Sequence, residues 1–141
     1  MPEKILFPSE DWMNAFVGLV DGSPEYQKAA GNWEGTIGLV IEEENGKLDK
    51  DLIFYADPYH GEIRDYCLIN SLEEKDIDFV IRGPYSVWKE IQQGKLDSMQ
   101  AIMKGKVQIK GNMAALLKQV KATQIMMKFL EQIPTKYVDE V

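Results

Sequence analysis

GKLDSMQAIMKGKVQIKGNMAALLKQVKA, residues 94–122, switches its apolar period twice within one short stretch. Asp97 is placed to cap a helix that presents Met99, Ile102 and Met103 at i, i+3 and i+4. Gly105 ends it, and Val107 and Ile109 then alternate in a short strand over Lys106–Lys110. Gly111 makes the next turn. Asn112 caps a second helix with a stripe of Met113, Leu116, Leu117 and Val120. A strand set between two helices points to a mixed α+β architecture.

The flanking sequence supports that reading. Ser9 followed by Glu10 and Asp11 marks a helix start, with Trp12, Phe16, Leu19 and Val20 at helical spacing before Asp21-Gly22. Ser23-Pro24-Glu25 starts another, which Gly31 stops. From Gly35 the period becomes two: Ile37, Leu39 and Ile41 form one side of a strand. Asn45-Gly46 predicts a hairpin to Leu52–Ala56, and Pro58-Tyr59-His60-Gly61 a second turn into Ile63–Ile69. A fourth strand over Ile77–Arg82 is expected to close an antiparallel meander. Gly83-Pro84 breaks the sheet before a helix carrying Trp88 and Ile91, and Thr123 is expected to start a last helix with Ile125, Met126, Phe129 and Leu130, ended by Pro134. No repeat, low-complexity run or linker interrupts residues 1–141, so one α+β domain is expected.

Composition narrows the function. A 45% hydrophobic content in 141 residues suffices for a proper core. The longest apolar runs, such as Leu39-Val40-Ile41, fall far short of a bilayer span, and the start carries no signal-peptide pattern. A lone cysteine, Cys67, fits a reducing, cytoplasmic setting. The net charge of −7 argues against general nucleic-acid binding. That charge is unevenly spread. Residues 98–130 hold Lys104, Lys106, Lys110, Lys118, Lys121 and Lys128 and no acid, so this segment is +6 and the rest −13. Such a face is either simply solvated or meets anionic head groups during transient contact with a membrane.

The usual catalytic sets are absent from the sequence. One histidine (His60, in a Pro- and Gly-rich turn) and one cysteine cannot assemble a zinc set. No phosphate loop, dinucleotide fingerprint or nucleophile elbow occurs, and Glu42-Glu43-Glu44 reads as a solvated strand end. We therefore expect no enzymatic activity and no cofactor or metal. Five of the seven methionines fall between Met99 and Met127. They serve either ordinary core packing or, with Trp88, Phe129 and Leu130, the wall of an adaptable cavity.

The segment Gly105-Lys106-Val107-Gln108-Ile109-Lys110-Gly111-Asn112-Met113 resembles the signature of the sterol carrier protein type 2 family. The similarity is best over Gly94–Lys121 and extends over about 33–130, leaving residues 1–31 as a helical extension that covers or lengthens one end of a cavity. The resemblance implies a five-stranded, mostly antiparallel sheet with helices packed on one face, enclosing a hydrophobic tunnel. It also implies non-covalent binding and transfer of a fatty acid, acyl-CoA, phospholipid or sterol-like lipid. The chain end, Tyr137-Val138-Asp139-Glu140-Val141, departs from the peroxisomal signal.

On this reading Leu39, Phe54, Phe79, Trp88, Met103, Met113, Leu117, Met126 and Phe129 line the tunnel, and Lys110 and Lys118 meet the lipid head group. Two alternatives use the same residues. The apolar groove serves as an interaction or homodimerisation module, or the chain presents lipid as an accessory subunit of a lipid-modifying enzyme.

Overall fold

The computed structural model describes residues 3–140. In chain order the elements are β1 (Ile5–Phe7), α1 (Glu10–Asp21), α2 (Pro24–Ala29), β2 (Ile37–Glu42), β3 (Leu52–Tyr59) and β4 (Glu62–Ile69). There follow β5 (Phe79–Pro84), α3 (Tyr85–Gln92), α4 (Ser98–Met103), β6 (Gln108–Lys110), α5 (Met113–Leu117), α6 (Val120–Gln132) and β7 (Thr135–Tyr137). Five strands form one sheet in the order β4-β3-β2-β5-β6, antiparallel except for β2 against β5.

Register turns the alternation in sequence into two apolar faces. Leu68, Phe54, Leu39, Ile81 and Ile109 lie opposite one another in a row across all five strands. This face is covered by helices, three of which begin where capping side chains predict. Ser9 Oγ accepts from Trp12 N at 3.1 Å, Ser23 Oγ from Tyr26 N at 3.1 Å, and Asp97 Oδ2 from Gln100 N at 3.1 Å. The helix α3 follows Pro84 without a cap of its own. Glu44 takes that role, with Oε1 accepting from Ser86 N at 3.2 Å and Oγ at 2.8 Å.

Three local expectations are corrected. The strand after β4 does not extend a meander; β5 crosses to the far side of β2 and pairs with it in parallel, Ile37 opposite Phe79. The crossover is anchored by Thr36, whose Oγ1 donates to Asp76 O at 2.7 Å and whose N donates to Asp78 Oδ2 at 3.0 Å. Its Leu72 and Ile77 then cover the second sheet face, against Val40, Ile53, Tyr55 and Ile69. Burial of that face outweighs the shorter route to the free edge of β4. The tight hairpin turn is His60-Gly61, with φ +50° and +89°, whereas Asn45-Gly46 sits inside a longer connection closed by the Glu44–Leu48 bridge. Finally, α6 begins at Val120, and the Thr123 hydroxyl donates back to Gln119 O at 3.0 Å from within the helix.

A ribbon of β1 and β7, too short for periodicity to reveal, pairs Ile5–Phe7 with Thr135–Tyr137. It is latched to α3 by the end of the chain. The Tyr85 hydroxyl donates to Asp139 Oδ1 at 2.7 Å, and Lys89 Nζ donates to both Asp139 oxygens at 3.0 and 3.1 Å. Burial alone would push the Asp139 carboxyl up, but the Tyr85 and Lys89 hydrogen bonds outweigh it and hold the group below its ordinary 3.8. A depressed carboxylate stabilises the fold above its unfolded value and ceases to do so as pH falls through its folded value. Asp139→Ala is therefore expected to lose about 1–3 kcal/mol near neutral pH. It should also flatten the acid limb of stability below 3.8. Urea midpoints across that range check both.

Candidate functional site: an apolar cavity between sheet and helices

The helix-covered face of the sheet does not meet the helices everywhere. Between them lies a cavity with ≈ 90 Å³ of room for the centres of water-sized spheres, several times what one water requires. Its floor is Ile37 and Leu39 of β2, Phe54, Ala56 and Pro58 of β3, Phe79 and Ile81 of β5 and Ile109 of β6. Its roof is the inner stripe of α1 (Trp12, Met13, Phe16, Val17) and that of α6 (Ala122, Thr123, Met126, Met127, Leu130), with Tyr26, Trp33, Trp88 and Ile102 closing the sides. The i, i+4 spacing within each helix is what brings these side chains to one face.

The indole N–H groups and the threonine hydroxyl of the lining are engaged elsewhere. Trp12 Nε1 donates to Thr135 Oγ1 at 3.2 Å, Trp33 Nε1 to Gly35 O at 3.0 Å and Trp88 Nε1 to Gly83 O at 3.0 Å. The Thr123 hydroxyl is spent on its own helix. Burial, aided by Asp21, pushes the Tyr26 hydroxyl up to about 12, so it stays neutral. The lining thus presents almost nothing but carbon. An apolar space of this kind favours hydrocarbon over water.

Of the nine side chains expected in the tunnel, Leu39, Phe54, Phe79, Trp88 and Met126 line the cavity. Phe129 is buried one layer away, beside Val20, Tyr26 and Ile125. Met103, Met113 and Leu117 stand on the outside, 83%, 44% and 68% exposed. The reason is helical phase. The short α4 turns Ala101 and Ile102 inward and leaves Met103 out, and α5 stops at Leu117, so its stripe does not continue into α6. Lys110 and Lys118 are likewise exposed and do not line the cavity. His60 sits at the hairpin tip with Nε2 3.0 Å from Glu34 Oε2, away from the lining.

Of the α1 lining, Trp12 and Phe16 belong to the stripe read from the sequence and Met13 and Val17 do not, and none of the four was expected in the tunnel; the contribution of Ile81, Ile102 and Ile109 depends on strand order and helix phase. Met127 is shared by the cavity and an open groove bounded by Ile91, Asp97, Ser98, Met99, Gln124, Lys128 and Glu131. It separates hydrocarbon-like surroundings from a polar exterior.

The sequence model of the SCP-2 sterol transfer family matches residues 14–124, more than half of the chain. The chain belongs to the SCP-2 sterol transfer family. The match begins inside α1, so most of that helix falls within the family span. A crystal structure of sterol carrier protein 2 is 30% identical, with 89% of this chain and 97% of that one covered at a TM-score of 0.78. A conserved hypothetical protein of Thermus thermophilus is 28% identical over 96% of this chain and 94% of its own, also at 0.78. Sterol carrier protein 2 of Yarrowia lipolytica in its apo form, 15% identical over 89% and 93% at 0.57, shares the fold. No curated protein sequence matches significantly. Among the described residues no helix is long and apolar enough to cross a membrane.

Proposed function

We propose that this SCP-2 family member is a non-catalytic cytoplasmic carrier that holds the hydrocarbon part of a lipid in the cavity. The observation that carries this reading is the lining itself: apolar side chains on every wall, with the indole N–H groups and the Thr123 hydroxyl already bonded outward. Such a site gains ~0.8 kcal/mol per buried methylene and needs no reactive group. In the roof, Met126 and Met127 are the side chains that adapt most readily to the shape of an acyl chain.

The polar end of the ligand leaves past Met127 to the groove, where Gln124 and Lys128 stand; neither Lys110 nor Lys118 lines that groove. Native mass spectrometry of freshly purified protein is expected to show a bound lipid that organic solvent releases. A protein that is empty and takes up no fluorescent fatty acid would overturn the carrier reading, and a homodimer with no extractable lipid would favour an interaction module. Lys128→Glu is expected to weaken a fatty acid several-fold while leaving the corresponding fatty alcohol unchanged, measured by displacement of the fluorescent probe.

A further inference from the structure

The two ends of the cavity keep different company. Beside the polar groove, Met127 belongs to the core cluster of Trp88, Ile81 and Leu130. At the other end Tyr26 belongs to a second cluster with Trp33, Phe79 and Ala122. Tyr26 stands on α2, is 1% exposed and lines the cavity. Its surroundings are tied together. Tyr26 N donates to Ser23 Oγ at 3.1 Å, and His60 N donates to Trp33 O at 2.8 Å. Gly61 comes so close to α2 that a Cβ there would lie 2.8 Å from Gln27 O. The β3–β4 hairpin and α2 therefore hold the ring in one place.

The Tyr26 hydroxyl differs from the other polar groups of the lining. The three indole N–H groups and the Thr123 hydroxyl all give their protons to protein acceptors. Among the described residues, none hydrogen-bonds to the Tyr26 hydroxyl, and only burial and the charge of Asp21 act on it. Asp21 itself uses Oδ1 to accept from Ile63 N at 3.1 Å. A buried hydroxyl without a partner is costly to keep, and the space adjoining Tyr26 from which a partner can come is the cavity.

We propose that the Tyr26 hydroxyl is a polar anchor inside the cavity, selecting lipids whose hydrocarbon chain carries a hydroxyl or keto oxygen remote from the head group. This deepens the carrier reading and rests on it. A lipid whose polar end leaves past Met127 lays its chain toward the Tyr26 end. A plain chain leaves the phenol unpartnered there. An oxygenated chain accepts its proton, and a chain hydroxyl can also donate back to it. Burial first, and Asp21 second, push this group up to about 12, so it keeps the proton it has to give throughout the neutral range. One such group in an otherwise apolar pocket fixes orientation and confers specificity.

The test is displacement of a fluorescent fatty acid from the wild type and from Tyr26→Phe. The competitors are hexadecanoic acid, its ω-hydroxy counterpart and hexadecanoic acids hydroxylated or oxidised to a ketone at positions along the chain. In the wild type at least one oxygenated acid is expected to bind within a few-fold of the plain acid, although an oxygen buried without a partner would weaken it by about thirty-fold or more. Tyr26→Phe should weaken that same acid by about ten-fold and bind the plain acid no less tightly. Thermal unfolding of both proteins checks that the variant is folded, and the comparison among acids in the wild type needs no variant at all. Every oxygenated acid being strongly penalised in the wild type would overturn the anchor, as would equal weakening of plain and oxygenated acids by Tyr26→Phe. In either case uptake of the plain acid leaves the carrier reading standing. A wild type that takes up none of the acids sinks the carrier reading and the anchor with it.

Discussion

Gly111→Ala is expected to cost the fold about 3–5 kcal/mol, a large share of the ~5–15 kcal/mol that holds a domain of this kind together. Gly111 has φ +147°, where a side chain is strained by about 1–3 kcal/mol. Space is lacking as well. A Cβ there would lie 2.6 Å from the backbone oxygen of Asp78 and 2.7 Å from the Phe79 ring, and a backbone carbonyl beside a paired strand cannot swing aside. Gly105, at the other end of the same signature segment, supplies the control. Its φ is +75°, but nothing lies within 4 Å of where its Cβ would be. Gly105→Ala should therefore lose only about 1 kcal/mol. Urea unfolding of the two variants beside the wild type separates the effects. Equal losses would mean that close approach to β5 contributes nothing.

That contrast explains why the segment 94–122 is so readable. Gly111 is needed because β6 must pass close to Asp78 and Phe79, and Asn112 then caps α5 by accepting from Ala115 N at 3.2 Å. Both demands are local, and so are the caps at Ser9, Ser23 and Asp97; each leaves its mark within a few residues of sequence. The departures come from terms that are not local. Nothing within residues 70–78 states that β5 must cross to β2, because the decision rests on Leu72 and Ile77 covering Val40 and Tyr55 on distant strands. The β1–β7 ribbon joins residues 5–7 to 135–137, and neither three-residue piece carries a period of its own.

The cavity is legible to the same degree and for the same reason. Strand alternation assigns Leu39, Phe54 and Phe79 to one face once a sheet exists, and those three do line it. Helices of five or six residues, such as α4 and α5, carry too few turns to fix which side faces inward, so periodicity alone misplaces Met103, Met113 and Leu117 inside. Their exposure is itself informative: the Met-rich segment divides its apolar side chains between an internal wall (Met126, Met127) and an external face.

Filling the cavity separates its function from its role in stability. Ala122→Phe places a ring into the space from the inner stripe of α6, where Ala122 is 4% exposed and lines the cavity. Elsewhere in a packed interior such a substitution costs about 1–3 kcal/mol by overpacking. Here the ring occupies empty volume and recovers contacts that the lining now lacks, so the ligand-free variant is expected to remain within about 1 kcal/mol of the wild type. Lipid binding should fall sharply. If the ring displaces about four methylenes at ~0.8 kcal/mol each, affinity drops by about two hundred-fold. Thermal unfolding with and without fatty acid reads both quantities, because a ligand that binds the folded state raises the midpoint according to its concentration and affinity. The wild type should gain several degrees and the variant almost nothing. Undiminished stabilisation of a folded Ala122→Phe protein would place the lipid somewhere other than between α6 and the sheet.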